Sequence, residues 1–223
     1  MSVLLLASGA ALGSPFYSDG PPPAHTGGFG EPTCHVCHTG AAPETTGAAG
    51  ALTLTLPQAY MPGSRYRITV SLRDAALGRG GFQLAARFAT GPRAGEQAGT
   101  LSALDARVTV VAGPRDVLYA QHTAAGTVPA SPLPRQGEGD RGRGTSERDR
   151  TRGTSEGNRE RRTSQADSGS GLYWTFAWVA PAVAAAPVVF HIAANAADDD
   201  ASPLGDVIHV ASTTVPIHTK PAR

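Results

Sequence analysis

Beyond residue 50, apolar and polar residues alternate with a period of two. Leu52, Leu54 and Leu56 alternate with threonines, and residues 66–72 continue the pattern. Similar segments of strand length lie at residues 81–89, 107–112, 172–179, 188–194 and 207–215. A period of two places alternate side chains on opposite faces of a strand. Together with 27 Gly and 18 Pro, these seven segments predict an all-β chain folded as an antiparallel β-sandwich, and they exclude a coiled coil or a long helical bundle.

The two cysteines of the chain lie three residues apart, at Cys34 and Cys37, and His38 follows directly. Two thiols at this spacing can both reach the vinyl groups of one haem and form thioether bonds, and the next histidine can then bind the iron. The sequence therefore predicts one covalent haem c, with Cys34 and Cys37 as its anchors and His38 as an axial ligand.

Other uses of this CxxCH motif are open. A structural zinc site would take Cys34, Cys37, His38 and a distant histidine, although zinc sites normally contain a second close pair of ligands. A redox-active disulfide would need the motif at a helix N-terminus, and the Gly-rich surroundings predict no helix. A structural disulfide makes no use of His38. The haem accounts for more of the motif's features than these alternatives do.

A second axial ligand would come from a histidine elsewhere in the chain. His122 follows a short predicted strand and precedes a loop, and it is the first candidate. His25 is close to the motif in sequence and is the weaker candidate. His191 and His209 lie in predicted strands, where a sheet usually accommodates a lone histidine. An open iron position would instead allow small-molecule binding, as in a haem enzyme or a gas sensor.

Composition divides the chain into five parts. Residues 1–17 contain an apolar run followed by small residues, which is typical of a secretory signal, although no basic residue precedes the run. Residues 18–50 carry the CxxCH motif and show no period, so they predict a long irregular loop. The two parts of the sandwich then occupy residues 51–131 and 172–223.

The fifth part, residues 132–171, interrupts the sandwich with a charged repeat rich in Arg, Gly, Ser and Glu. The sequence RGTSE at residues 143–147 recurs nine residues later and returns, weakened, at residues 161–165. The repeat has no apolar face to bury, so it predicts a disordered insertion. We expect the domain to tolerate its deletion, because long surface loops cost little closure entropy.

The net charge indicates no partner. The chain has 19 Lys and Arg against 18 Asp and Glu, which gives +1 at neutral pH. A field this weak provides no basis for holding nucleic acid or an anionic membrane surface. The apolar runs are also too short to span a bilayer. We therefore expect neither a nucleic-acid partner nor an integral membrane span.

Several short motifs occur in an order that resembles one family. The first is HTGGFGEPTCHVCH at residues 25–38. The others lie at residues 60–66, 81–84, 97–99, 121–123, 174–178, 180–181, 190–195 and 205–206. This set resembles the bacterial secreted proteins called choice-of-anchor V domain proteins, which are related to the Reeler domain. The resemblance implies an immunoglobulin-type, Reeler-like sandwich outside the cytoplasm, preceded by the CxxCH loop.

These expectations combine into an exported monohaem cytochrome-like protein of c type that passes electrons to a redox partner protein and is not an enzyme. Its location would be extracytoplasmic, in the periplasm, in the medium or at the surface of a bacterium, because bacteria attach haem to CxxCH beyond the cytoplasmic membrane. The alternative is a secreted Reeler-like adhesion or ligand-binding module whose CxxCH forms a disulfide or a zinc site.

Overall fold

The computed structural model of the chain describes residues 17–40, 44–45, 51–74, 77–129, 171–183 and 185–219. Ten strands in these residues form two sheets. The strands are β1 (Glu44–Thr45), β2 (Leu52–Thr55), β3 (Arg65–Arg73), β4 (Arg79–Phe88), β5 (Thr100–Ala103), β6 (Val108–Ala112), β7 (Leu118–His122), β8 (Gly171–Val179), β9 (Val188–Ala197) and β10 (Val207–Val215). Nowhere in these ranges does a helix have the length and hydrophobicity of a membrane-spanning segment.

The larger sheet has six strands in the order β1-β10-β9-β4-β7-β6. β4 lies inside this sheet and is antiparallel to both of its neighbours, with Leu84 opposite Ile192 of β9 and Ala120 of β7. β10 extends the sheet beyond β9, and the two-residue strand β1 pairs with β10 in parallel. The other strand pairs of the sheet are antiparallel.

The smaller sheet has four strands in the order β2-β3-β8-β5. β3 and β8 pair along their whole length, from Arg65 opposite Val179 to Arg73 opposite Gly171. The large aromatic residues of β8 recur at a spacing of two, which predicts that they share one face of the strand. The two tryptophans and the phenylalanine of the strand are fully buried, namely Trp174, Phe176 and Trp178, whereas Tyr173 on the other face is exposed.

The core lies between the two sheets. The ring of Phe82 in the larger sheet packs against Trp174 in the smaller one, with 4.8 Å between ring centres. Each buried indole N–H also finds an acceptor: Trp174 donates to the carbonyl of Gly126 and Trp178 to that of Ala98, both at 2.9 Å. The core is therefore apolar without leaving these two donors unpaired.

The opposite face of the larger sheet is covered by residues 17–38. Gln83 of β4 is buried there, where its side-chain amide donates to the carbonyl of Pro22 at 3.0 Å and accepts from the backbone N–H of His25 at 2.6 Å. Gln121 of β7 accepts from the same Gln83 amide at 2.9 Å. The irregular N-terminal segment is thus held on the sheet by hydrogen bonds to its outward-facing side chains.

Described residues that flank the predicted insertion are joined by one side chain. The guanidinium group of Arg107 donates to the carbonyl of Val128 at 2.9 Å and to that of Tyr173 at 3.4 Å. Val128 precedes the charged repeat in sequence and Tyr173 follows it. Arg107 therefore joins described residues on either side of the insertion.

The antiparallel β-sandwich with an irregular segment carrying CxxCH is confirmed. All seven predicted strands are present, with ends that differ by a few residues. The further short strand predicted before His122 is β7, and His122 is its last residue instead of lying in the loop that follows. The alternation does not predict β1 and β5, because strands of two and four residues are too short to show a period. The predicted signal at residues 1–17 and the insertion at residues 132–171 lie, apart from residues 17 and 171, outside the described residues. The part boundaries stay predictions.

Candidate functional site

The CxxCH motif lies on a 3-10 turn, Cys34–Val36, outside both sheets. Thr33 caps the turn, because its hydroxyl oxygen accepts a hydrogen bond from the backbone N–H of His35 at 3.3 Å. The N–H groups of Cys37 and His38 both donate to the carbonyl of Cys34, at 3.2 and 3.0 Å. These bonds keep both cysteines and His38 on one short, ordered stretch of backbone.

The two cysteines are free thiols in different environments. Cys37 is exposed, whereas Cys34 is half-buried. Burial of the Cys34 thiol, reinforced by the neighbouring Cys37 and opposed by a backbone hydrogen bond, raises its pKa to about 12. Because the thiolate is the reactive form, Cys34 is a weak nucleophile at neutral pH.

His38 is oriented by two side chains, one in the larger sheet and one that directly precedes a strand of it. Its Nδ1 atom lies 2.6 Å from Oδ2 of Asp206, which directly precedes β10. Asn195 of β9 donates from Nδ2 to the same oxygen at 3.0 Å. Asp206 and Asn195 are both buried, and about a third of the His38 side chain, 35%, remains exposed. The motif histidine is therefore fixed from the sheet side and reachable from outside.

Backbone contacts hold the chain after His38 against the loop between β9 and β10. Thr39 donates its N–H to the carbonyl of Pro203 at 2.9 Å, and Gly205 donates to the carbonyl of Thr39 at 3.0 Å. The approach is so close that a Cβ atom at Gly40 would lie 2.5 Å from the nitrogen of Gly205. Glycine at position 40 is therefore required for Asp206 to reach His38.

The contact between His38 and Asp206 determines which ring nitrogen carries the proton. A carboxylate only accepts hydrogen bonds, so Nδ1 of His38 donates across the 2.6 Å contact to Asp206. The Nδ2 atom of Asn195 also lies 3.2 Å from this Nδ1, and it donates to Asp206 at the shorter distance of 3.0 Å. In the neutral imidazole the free lone pair is then on Nε2, the nitrogen available to a metal ion. A metal-bound histidine usually donates its other N–H to a carboxylate or a carbonyl in this manner. These residues fit the axial-ligand role predicted for His38.

Glu31 anchors the segment before the motif. Its Oε1 atom accepts hydrogen bonds from the guanidinium of Arg87 and, at 2.5 Å, from the hydroxyl of Tyr119. Its Oε2 atom accepts from the hydroxyl of Thr26 at 2.5 Å. Arg87 and Tyr119 are each only 1% exposed. A buried ion pair therefore ties the loop to β4 and β7.

Phe29 makes a second contact between the loop and the sheet. Its ring packs edge-on against His191 of β9, with 5.2 Å between ring centres, and the Arg87 guanidinium carbon lies 5.4 Å from its centre. A Cβ atom at Gly28 would lie 2.3 Å from the His191 ring, so this contact requires glycine. Burial first, and then the charge of Arg87, lower the pKa of His191. His191 is thus a neutral packing residue.

His122 is buried with both ring nitrogens hydrogen-bonded. Nδ1 accepts from the N–H of Phe82 at 3.0 Å, and Nε2 lies 3.1 Å from the carbonyl of Tyr17. Burial is the main cause that lowers the pKa of His122, and the nearby His38 also lowers it, while the backbone bonds and Asp19 oppose the shift. His122 would have to release the Tyr17 carbonyl before it could bind iron.

His25 hydrogen-bonds through one ring nitrogen, with Nδ1 2.9 Å from the carbonyl of Pro22. His122 and His25 are both hydrogen-bonded to backbone carbonyls, and the second axial ligand stays a prediction.

Asp206 and Asn195 contact His38, although no pattern in the sequence assigns them a role. Both occur in the short motifs that carry the family resemblance, and this was the signal that could have found them. Within the described ranges, no three His, Cys, Asp or Glu side chains are grouped to hold a metal ion.

No protein-family model and no curated protein sequence matches the chain. Among solved structures, the human F-spondin reeler domain is similar at 14% identity, covering 79% of this chain and 95% of that chain with a TM-score of 0.42. The Reelin-N domain of F-spondin is similar at 14% identity, covering 82% and 95% with a TM-score of 0.41. The assignment of a β-sandwich follows from the two sheets of the described residues and not from these similarities. The resemblance to choice-of-anchor V domain proteins stays a prediction from the motifs.

Proposed function

We propose that this β-sandwich protein carries one covalent haem c, with Cys34 and Cys37 as its anchors and His38 as an axial ligand, and that it transfers electrons. The observation that supports the proposal most is the 2.6 Å contact between His38 Nδ1 and Asp206 Oδ2. This contact leaves Nε2 of His38 as the metal-binding nitrogen, directly after a CxxC pair whose thiols are both free. The bound haem would supply an iron centre that takes up and releases one electron.

The protein's own residues have three roles in this proposal. The thiols of Cys34 and Cys37 would hold the haem, each by adding across one vinyl group, with the thiol hydrogen moving to the neighbouring carbon as the sulfur–carbon bond forms. His38 would hold the iron through the lone pair on Nε2. Glu31, through its bonds to Arg87 and other side chains, holds the loop on the sheet. No further substrate is needed for electron transfer.

The second axial ligand belongs to the same proposal. His122, at the end of β7, is the first candidate, as the sequence predicts. To bind, it would exchange its contact with the Tyr17 carbonyl, 3.1 Å from Nε2, for the iron. His25 is the weaker candidate. The partner would be a redox protein outside the bacterial cytoplasm, where haem is attached to CxxCH motifs.

The test is a pyridine haemochrome spectrum and a haem stain of the denatured protein. The chain is produced in a host that matures c-type cytochromes, beside the Cys34→Ser/Cys37→Ser variant. We expect haem that survives denaturation in the wild-type protein and is absent from the variant. A wild-type protein without covalent haem, from a host that loads a known c-type cytochrome in parallel, would contradict the proposal.

A secreted adhesion or ligand-binding module is the second candidate function. In it, Cys34 and Cys37 form a disulfide or hold zinc. It requires only the two-sheet β-sandwich of the described residues and the CxxC pair, without a prosthetic group. This function would follow from an absence of covalent haem, and thiol titration with zinc analysis of the purified chain would then separate the disulfide from the zinc site.

A further inference from the structure

We infer that Asp206 is a positioning residue that acts through His38, fixing the Nδ1–H tautomer and lowering the reduction potential of the haem. The inference rests on the proposed function, because the potential belongs to the loaded protein. It goes beyond that function by assigning the tuning of the iron to a residue 168 positions away from its ligand in the chain.

The first argument is that the charge of Asp206 is directed at His38. Asp206 is buried, at 3% exposure, and its Oδ2 atom accepts from both His38 and Asn195. In the part of the chain that the structure describes, the other oxygen, Oδ1, has no hydrogen-bond partner. Water screens so buried a charge weakly. The negative charge of Asp206 therefore acts most strongly on the Nδ1–H group of His38.

The second argument is chemical. A carboxylate that accepts from Nδ1–H pulls the proton toward itself and makes the imidazole a stronger electron donor at Nε2. A stronger donor stabilises the ferric iron, which carries the higher charge, more than the ferrous iron. Asp206 should thus lower the reduction potential below that given by a neutral acceptor at the same place.

The third argument separates this role from simple packing. The Nδ2 atom of Asn195 donates to the same oxygen of Asp206 at 3.0 Å and lies 3.2 Å from Nδ1 of His38, so it competes with His38 for the charge of the carboxylate. Removing Asn195 should strengthen the pull of Asp206 on His38, whereas removing the charge of Asp206 should abolish it. The two substitutions are therefore expected to move the potential in opposite directions. If the two substitutions acted only by loosening the CxxCH loop, both would shift the reduction potential in the same direction.

The experiment uses Asp206→Asn, Asn195→Ala and the matched control Asp116→Asn in the full chain. Asparagine at position 206 keeps an acceptor for Nδ1–H and removes only the charge. Asp116 is exposed on a separate 3-10 turn, and asparagine tolerates its φ of 58°, so Asp116→Asn makes the same change of charge away from His38. Haem content by pyridine haemochrome and the midpoint potential at pH 7 are measured for each protein.

We expect full haem content in all three variants. Removing a hydrogen-bonded partner of a metal ligand typically costs at least about tenfold in metal affinity. Because the carboxylate stabilises the ferric state more than the ferrous state, a tenfold loss on the ferric side corresponds to about 59 mV for one electron. Asp206→Asn should therefore raise the potential by about 59 mV relative to Asp116→Asn, and Asn195→Ala should lower it. Loaded variants with the potential of the control, or shifted in the same direction, would overturn the inference.

A second readout does not depend on haem. The ¹⁵N chemical shifts of His38 report its tautomer in the haem-free Cys34→Ser/Cys37→Ser protein, with and without Asp206→Asn. We expect a protonated Nδ1 in the first protein and a mixture of tautomers in the second. If the wild-type chain holds no haem, the proposed function fails, and these shifts alone decide whether Asp206 positions His38. Identical tautomers in both proteins would overturn that role.

Discussion

The Nδ1 atom of His38 lies 2.6 Å from the Oδ2 atom of Asp206, although 168 positions of sequence separate the two residues. The CxxCH turn supplies His38, and the loop before β10 supplies Asp206. The orientation of the motif histidine is thus set by the sandwich and not by the motif. A short peptide with the same motif would lack this constraint.

Substitution of Glu31 by Gln is expected to destabilise the fold by about 3–5 kcal/mol, because it leaves the buried Arg87 guanidinium without its counter-charge. Urea unfolding followed by tryptophan fluorescence measures the loss. The matched control is Glu96→Gln, since Glu96 pairs with Arg93 where both side chains are more than half exposed, 57% and 51%, and should cost less than about 1 kcal/mol.

The Glu31→Gln/Arg87→Met double variant completes this test. It removes both charges, so its loss should be smaller than the sum of the two single losses. Additive losses would show that the two side chains do not stabilise the loop as a pair.

Stability should fall as the pH falls below about 6.5, the ordinary pKa of histidine, and His191 should contribute to this fall. Burial lowers the pKa of His191 in the folded protein, so in that window the unfolded chain binds a proton that the folded chain does not. His191→Phe should make the slope of unfolding free energy against pH shallower, by at most about 1.4 kcal/mol per pH unit. Urea unfolding between pH 7 and pH 5 measures the slope, and an unchanged slope would contradict the assignment.

Alkylation should distinguish the two cysteines in the reduced, haem-free protein. A pKa of about 12 for Cys34 leaves only about one thiol in ten thousand ionised at pH 8, whereas Cys37 is exposed. In single variants that keep one cysteine each, Cys37 should react with iodoacetamide at least about tenfold faster than Cys34. Mass spectrometry of timed samples gives both rates. Equal rates would show that the Cys34 thiol is not shielded.

Replacing residues 132–170 by a short Gly-Ser linker should change the free energy of unfolding by less than about 2 kcal/mol, which is the scale of loop-closure entropy. The physical reason is that Arg107 already joins Val128 and Tyr173, on either side of the deletion. Circular dichroism and urea unfolding of the deleted chain measure the effect. Loss of the β-sheet spectrum would mean that the insertion is part of the fold.

Much of the fold could be predicted from the sequence, because the alternation of apolar and polar residues indicates which face of a strand packs against the core. The stripe of Trp174, Phe176 and Trp178 is fully buried as its spacing predicts. The short strand β5 and the parallel pairing of β1 could not be predicted, since neither is long enough to carry a period.

The candidate site was predictable only in its local part. Cys34, Cys37 and His38 are adjacent in sequence, so their shared chemistry is visible there. Asp206 and Asn195 come to His38 through the pairing of distant segments, so the signal for them in the sequence is their place in the short motifs of the family resemblance and not any spacing from His38. The buried pair of Glu31 and Arg87 was missed for the same reason, because 56 positions separate its members.

Mass spectrometry of the proteolytic peptide that contains Cys34 and Cys37 tests the central claim most directly. The protein is purified from a host that matures c-type cytochromes, and its peptides are fragmented to locate each modification. The account predicts one haem joined to both Cys34 and Cys37 in the same peptide. Unmodified thiols, or a disulfide between the two cysteines, would contradict it.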